Sequence, residues 1–486
     1  MCSFVVFSSD NLSLSDLSKA LKKVYHRGPD NNYLAIENGL LWGFNRLSIM
    51  DLSSNGNQPF KYDSCELVCN GEIYNYNSFK KLLSQEYIFH SNSDCEVLIP
   101  LYLKYGIEIM CKMLDAEFAL VLYNSKDNSI MAARDPMGIR PMFYGYTKKD
   151  HKISFASEAK ALIDYCNDIM PFPPGHYYKD GKFTCYNDLS NTKFINNDNL
   201  NTIFTNIRTK LISAVEKRLH ADAPIGYLLS GGLDSSLVCS IAQRMIKDPI
   251  KTFAIGMDTD PIDLKYAKQA ADYLGTDHTE VIINKNDILK TLDEVIYHLE
   301  TFDITTIRAS IGMYLLCKYI HENTTLKVIL TGEVSDELFG YKYTDFAPSA
   351  SEFQKESQKR IKELYMYDVL RADRCISAHA LEGRVPFADI DFVNYVMSIN
   401  PSKKMNTYNK GKYLLRKAFD GQQYLPTSLL YREKAAFSDA VGHSLVDYLK
   451  ESMCATRLPR RLSSRSLSPR RKFTCKLLKK KCRIKI

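Results

Sequence analysis

The chain has 486 residues with 64 Lys+Arg against 56 Asp+Glu, a formal net charge of +8. Thirteen basic residues and no acidic one fall in residues 457–486, leaving 51 basic against 56 acidic before them, a net of −5, so a nucleic-acid reading is confined to the tail. A 45% hydrophobic and 25% charged composition excludes wholesale disorder, and no run approaches the ~20 apolar residues of a membrane helix.

The start, MCSFVVFSSDNLSLSD, has neither a basic nor a long apolar stretch and does not read as a secretory signal. Thirteen scattered cysteines without a CxxC fit buried thiols in a reducing, cytoplasmic setting. Strands are expected at Phe4–Phe7, Glu66–Cys69, Glu117–Tyr123, Ser129–Ala133 and Ile153–Ala156. A helix is expected over Asp94–Tyr105, where Val97, Leu98, Leu101 and Tyr102 share one face. The Asn-rich stretch 187–200 reads as a linker.

From about residue 203 strands and helices alternate. Strands are expected at Ile225–Leu229, Thr252–Gly256, Glu280–Ile283 and Lys327–Leu330. Helices are expected from near Ser235, with Val238, Ile241, Ala242 and Met245 on one face, over 265–274 ending at Gly275, and over 286–320. Residues 352–371 and 390–450 read as mostly helical. Such alternation implies a parallel sheet with ligands at the carboxyl ends of its strands.

Cys2 becomes the first residue once the initiator Met is removed. It then carries a thiol beside a free α-amine that can take the thiol's proton. Asn70 and Gly71, in NGEIYN, offer an amide and a backbone N–H to a tetrahedral oxyanion. Arg46 and Asp94 suit the carboxylate and the amine of an amino acid. HRGPD (His26–Asp30) reads as a tight turn in which Pro29 fixes φ and Gly28 supplies freedom.

Ser230–Ser236, SGGLDSS, follows a buried strand and opens a helix, a setting in which backbone N–H groups close on phosphate oxygens. It lacks the lysine of GxxxxGK[ST] and is not a Walker loop. Asp234 can ligate Mg²⁺.

MCS, HRGPD, RLSIMD, NGEIYN, SDCEVL, RDPMGIRPM and SEAKAL together resemble the class II glutamine amidotransferases. SGGLDSS resembles the pyrophosphate loop of ATP-pyrophosphatase-type ligases. With ETFDITTIRAS, TGEVSDELFG, LEGRVPFAD and YREKAAFSDAVG, the whole from residue 2 to about 454 resembles the glutamine-hydrolysing asparagine synthetase family.

The resemblance implies an α+β N-terminal-nucleophile sandwich (αββα) followed by an α/β parallel-sheet ATP-pyrophosphatase domain with extra helices. Its implied boundaries are a glutaminase over 2–185, a linker over 186–202 and a synthetase domain over 203–454; residues 455–486 fall outside the resemblance and read as a basic, disordered tail. It implies Cys2 as nucleophile and Asn70 and Gly71 as oxyanion hole. Glutamine contacts would come from Arg46, Leu47, Ser48, Ile49, Met50, Glu72 and Asp94, with Asn70 and Gly71. ATP would be held by Leu229, Ser230, Gly231, Gly232, Asp234, Ser235, Ile255, Thr331, Gly332 and Asp336, with Asp234 and Asp336 on Mg²⁺. Glu333 would act on the aspartyl-AMP step and Lys434 on phosphate oxygens. Substrates would be aspartate, glutamine and ATP, with a homodimer as the family's assembly.

The chain departs from the family pattern at Val334, where a glycine is usual, at Ala116, Ala436 and Ala440, and in the tail. A β-branched residue disfavours positive φ, so Val334 is where ATP binding is most exposed to change. The tail's charge suits RNA, a nuclear address or an acidic membrane surface. A β-lactam synthetase-like cyclase is a second reading, and Cys2 argues against it. A synthetase-impaired relative with a nucleic-acid-binding tail is a third.

Overall fold

A computed structural model describes residues 1–192, 195–258, 262–340 and 344–433. Lys434, Ala436, Ala440 and the basic tail lie outside these residues.

The N-terminal half holds twelve strands: β1 (Ser3–Phe7), β2 (Asn31–Glu37), β3 (Leu40–Arg46), β4 (Phe60–Tyr62), β5 (Cys65–Ile73), β6 (Ala116–Asn124), β7 (Ser129–Arg134), β8 (Phe143–Thr147), β9 (Ile153–Ala156), β10 (Cys166–Pro171), β11 (His176–Lys179) and β12 (Lys182–Cys185). They form two antiparallel sheets of order β10-β8-β9-β1-β3-β2 and β12-β11-β7-β6-β5-β4. Helices here are α1 (Leu14–Lys22), α2 (Tyr76–Leu83), α3 (Leu98–Met113) and α4 (Ala159–Leu162).

Period-2 alternation sorts the strand side chains into layers. Phe4, Val6, Trp42 and Phe44 of the first sheet meet Val68, Ala119 and Val121 of the second between the sheets. Val5, Phe7 and Leu41 face outward onto Leu17, Ala20 and Leu21 of α1 and Ala161 and Leu162 of α4. Leu67, Leu120 and Leu122 face Phe79, Leu83, Leu98 and Leu101 of α2 and α3. The order is helix, sheet, sheet, helix.

The C-terminal half opens with α5 (Leu200–Arg218), so the last residues of the expected linker are helical. Tyr186 and Leu189 are buried in the core, and Asn196 bridges to Ile399, so this polar segment is partly anchored. Strands β13 (Ile225–Leu228), β14 (Lys251–Met257), β15 (Asp277–Ile283), β16 (Val328–Leu330) and β17 (Glu382–Arg384) form one parallel sheet of order β15-β14-β13-β16-β17. Helices α6 (Leu233–Met245), α7 (Ile262–Leu274), α8 (Lys285–Leu299), α9 (Ile304–Asn323), α10 (Ser335–Phe339), α11 (Ala350–Glu363) and α12 (Asp368–Ser377) follow in chain order. Ile288, Val295, Ile311 and Ile376 of α8, α9 and α12 cover one sheet face, and Leu237 and Ile241 of α6 cover the other.

The strand order reverses between β13 and β16, a topological switch point that opens a crevice at their carboxyl ends. The chain after β13 is SGGLDSS and the chain after β16 is TGEVSDE, so two strings a hundred residues apart become neighbours.

Several expectations are corrected. The helix expected over 286–320 is two helices, broken where Glu300 takes φ 57° and Asp303 caps α9 by accepting from the Thr306 N–H. Met245 is 40% exposed rather than buried with Val238, Ile241 and Ala242, because the chain leaves α6 there. Gly28 has φ −148°, outside the left-handed region. Its need for glycine is packing, since a Cβ would stand 2.5 Å from the Asn45 carbonyl oxygen. Eight of the ten described cysteines are buried, and all ten are free thiols. Among the described residues no helix is long and apolar enough to cross a membrane.

Candidate active sites

The first site lies where β1 begins and β3 and β5 end. Antiparallel pairing puts Ser3 opposite Asn45, which brings Cys2 beside the turn after β3. The Leu47 N–H donates to the Cys2 sulfur at 3.4 Å. One pocket is lined by Cys2, Arg46, Leu47, Ile49, Met50, Asn70, Gly71, Glu72 and Asp94, which gathers most of the residues expected around glutamine. Gly56, Gln58, Cys69, Ser93, Cys95 and Glu382 complete its wall. Ser48 is not in the wall, and its N–H donates to Asp30 at 2.8 Å.

Met1 precedes Cys2 in the described chain. Its terminal amine is buried, donates to the Leu381 carbonyl at 3.3 Å, and is pushed down to about 5 by burial. Burial also pushes the Cys2 thiol up to about 11. Both shifts oppose transfer of the thiol proton to this amine, so the Cys2 thiol is held protonated while Met1 precedes it.

Asn70 is 1% exposed, and its Nδ2 and Oδ1 have no hydrogen-bond partner. An unpaired buried amide costs about 1–3 kcal/mol, so this one stands ready for a ligand atom. Gly71 is needed for packing, as a Cβ would lie 2.7 Å from Phe118 Cβ. Asp94 accepts from the Ile73 N–H at 2.7 Å, and burial raises its carboxyl.

Arg46 is placed differently from a free clamp. Its Nη1 donates to the Ser53 carbonyl (2.7 Å) and Asn57 Oδ1 (2.8 Å), and its Nη2 donates to the Met50 and Asp51 carbonyls. It therefore holds the loop that walls the pocket. Glu72 pairs with Arg384 at 2.9 Å, and burial raises its carboxyl.

Arg27, which no motif singled out, joins the halves. It is fully buried and donates from Nε to the Cys2 carbonyl (3.1 Å) and from both terminal nitrogens to Asp373 of α12 (2.9 Å each). It also donates to Glu158 at 2.8 Å. Burial opposes its charge, but Asp373 and Glu158 outweigh burial and hold the guanidinium protonated.

The second site lies at the switch point. Gly231 has φ 68°, and a Cβ there would lie 2.4 Å from the backbone of Tyr266 and Ala267. The Ser230 N–H donates to Ser235 Oγ at 3.2 Å, and the two hydroxyls are 2.9 Å apart. Gly232 precedes α6 with no side-chain cap, which leaves helix N–H groups for an anion. Leu229 and Ile255 are buried under the loop. Thr331 is buried, its Oγ1 has no hydrogen-bond partner, and its N–H donates to the Arg384 carbonyl at 3.1 Å. A Cβ on Gly332 would lie 2.7 Å from the Ser235 nitrogen, so the two loops touch.

Lys412 was missed by sequence reasoning and sits at the centre of this site. Its Nζ lies 2.8 Å from both Asp234 oxygens, 2.6 Å from Asp336 Oδ1 and 3.0 Å from Ser335 Oγ. Ser335 Oγ donates to Asp234 Oδ1 at 2.7 Å. Arg432 braces the loop from outside, donating to the Gly231 carbonyl (2.9 Å) and Asp263 (2.8 Å). Glu333 accepts from Arg371 of α12 at 2.6 Å. Lys434 lies outside the described residues.

Two carboxylates 2.6–2.8 Å from one ammonium form an all-oxygen donor pair, which fits Mg²⁺ shared with phosphates. No group of three or more metal-ligating side chains occurs among the described residues, so phosphates would have to complete the shell.

Residues 1–178 match the glutamine amidotransferase domain model, and residues 206–352 and 345–483 match the asparagine synthase model. The chain is 42% identical over 456 residues to "Asparagine synthetase [glutamine-hydrolyzing] 3" of Arabidopsis thaliana, covering 90% of this chain and 77% of that one. It is 39% identical over 479 residues to a probable asparagine synthetase [glutamine-hydrolyzing] of Acanthamoeba polyphaga mimivirus, covering 92% and 86%. It is 41% identical over 481 residues to the asparagine synthetase [glutamine-hydrolyzing] of Cricetulus griseus, covering 91% and 84%.

Proposed function

The chain belongs to the glutamine-hydrolysing asparagine synthetases, and from that premise we propose how its own residues make asparagine from aspartate, glutamine and ATP. Residues 2–185 form the glutaminase, 186–202 the connection and 203–454 the synthetase domain.

Removal of Met1 moves the α-amine onto Cys2. That amine takes the thiol proton and the thiolate attacks the glutamine amide carbon; the tetrahedral adduct then collapses, the amine returns the proton to the leaving nitrogen, ammonia departs, and water hydrolyses the thioester to glutamate and the free thiol. Asn70 Nδ2 and the Gly71 N–H take the developing oxyanion, and the orphaned Asn70 amide supports that role. Asp94 and Glu72 face the substrate's α-amine. Arg46 takes its carboxylate by exchanging one of its loop carbonyls.

In the second site the aspartate β-carboxylate attacks the α-phosphorus of ATP. The P–O bond to pyrophosphate breaks and β-aspartyl-AMP forms. Backbone N–H groups of Ser230–Ser235 and the Lys412 ammonium orient the phosphates, and Lys434 joins them. Asp234 and Asp336 would hold Mg²⁺, which when bound draws charge off the departing pyrophosphate. Glu333, steadied by Arg371, takes a proton as ammonia attacks the acyl carbon and AMP leaves. Ammonia must travel unprotonated, which favours a path through protein over bulk water.

The observation that carries this reading is the shared wall: Glu382, on β17 of the parallel sheet, lines the pocket that holds Cys2. A cytoplasmic location and a homodimer belong to the same proposal. Its test is product analysis: aspartate, glutamine, ATP and Mg²⁺ should yield asparagine, glutamate, AMP and pyrophosphate in equal amounts. Glutamate alone would leave only a glutaminase.

A further inference from the structure

The loop after β16 turns on Val334. Its φ is 79° and ψ −17°, a left-handed conformation, and its side chain is 2% exposed. It is the only β-branched residue at positive φ among the described residues. A β-branched side chain is a genuine outlier there, because its branch crowds the backbone. The conformation persists because neighbours hold it: Val334 packs into the core, Ser335 Oγ donates to Asp234, and Lys412 pairs with Asp336. Turning at Val334 is what brings Ser335 and Asp336 onto Asp234 and Lys412, and Gly332 onto Ser235.

We propose that Val334 is a strained pivot that sets the affinity of the synthetase site for ATP. The proposal rests on the reading of this crevice as the nucleotide site. Relaxation of the pivot to negative φ redirects the chain and carries Ser335 and Asp336 away from Asp234 and Lys412. Because valine disfavours the competent turn, the loop populates it less than a glycine loop would. Apparent affinity falls by that fraction, and nucleotide binding restores it. Chemistry after binding is unaffected, so the effect falls on KM rather than kcat.

The test is aspartate-dependent ATP–pyrophosphate exchange by the full-length protein, its Val334→Gly variant and its Val334→Ala variant. Glycine removes the backbone penalty, so V334G should lower the KM for ATP about tenfold with kcat within about twofold. Alanine opens space but keeps a Cβ at positive φ, so V334A should show a smaller gain or none. Equal gains in both variants would assign the effect to side-chain bulk and overturn the pivot. Exchange by the wild type with an unchanged KM in V334G would also overturn it, leaving the nucleotide site intact. Absence of exchange in all three would overturn the nucleotide reading and the pivot with it, whereas exchange by V334G alone would support both. ATP-independent glutamine hydrolysis, equal in all three, checks that each is folded.

Discussion

In the N-terminal half the candidate oxyanion donors Asn70 and Gly71 sit on a paired strand, whereas in the C-terminal half the candidate phosphate-site groups sit on loops and in the first turns of α6 and α10. Asn70 and Gly71 sit within β5, locked to Ala119 and Phe118 of β6 by ladder hydrogen bonds. The first pocket can therefore keep an unpaired amide in place without a ligand. The second site has no such ladder. Its loops are held by charge, with Lys412 between Asp234 and Asp336 and Arg432 on Gly231, and one of them turns on a strained valine. A rigid sheet preorganises a site for one small substrate. In the second site Lys412 balances the two carboxylates, a charge balance that the phosphates of the proposed nucleotide would alter.

The largest effect should come from the rigid site. Under the proposed mechanism Cys2→Ala removes the nucleophile, so glutamine-driven asparagine formation should fall by more than about 10⁴-fold. Synthesis from ammonium salts should persist within about twofold, because the crevice does not contain Cys2. Parallel loss of both would mean that the halves are not separable in this way.

Next comes the charge-held site. Lys412→Ala removes a cation that contacts both carboxylates, a loss of about 2–3 kcal/mol of charge-assisted hydrogen bonding. ATP–pyrophosphate exchange should then fall on the order of 10²-fold, with glutamine hydrolysis unchanged. Unaltered exchange would remove Lys412 from the phosphate contacts.

A smaller effect on catalysis, but a clear one on stability, is expected at Lys404. It is 6% exposed, donates to the Val396 carbonyl at 3.2 Å, and burial pushes it down to about 7 from 10.5. Between those values the unfolded chain keeps a proton that the folded chain has released, so Lys404 makes stability rise with pH from about 7 to 10.5. Lys404→Met should flatten that slope and stabilise the protein on the order of 3 kcal/mol at pH 6. Denaturant melts at pH 6 and pH 9 measure it, and an unchanged slope would refute it.

Legibility followed burial and continuity. The central strands β13 and β16 of the parallel sheet are buried or half-buried along their length, so Ile225–Leu228 and Val328–Leu330 read as apolar runs, whereas the edge strand β15 is exposed or half-buried except at Ile283. β17 was not foreseen, because its Glu382 and Arg384 are buried through mutual pairing and contacts with Glu72 and Arg140. β2 was missed for its exposed, mixed pattern on a sheet edge. Cys2, Asn70, Asp94 and SGGLDSS stood out because their residue types and neighbours are unusual together. Lys412 did not, since it is one basic residue among several (Lys403, Lys404, Lys410, Arg416, Lys417), and only the fold selects it. Arg27 was hidden in a turn motif, and its carboxylate partners Glu158 and Asp373 are more than a hundred residues away.

The central claim is that the two halves act as one enzyme across a boundary where Glu382 lines the Cys2 pocket and Arg27 pairs with Asp373. It is tested most directly by supplying amide-¹⁵N glutamine with aspartate and ATP in excess unlabelled ammonium, at a pH where ammonium reacts poorly. Asparagine should carry the ¹⁵N label far above its share of the bulk ammonia pool. Label diluted to the bulk ratio would contradict the claim.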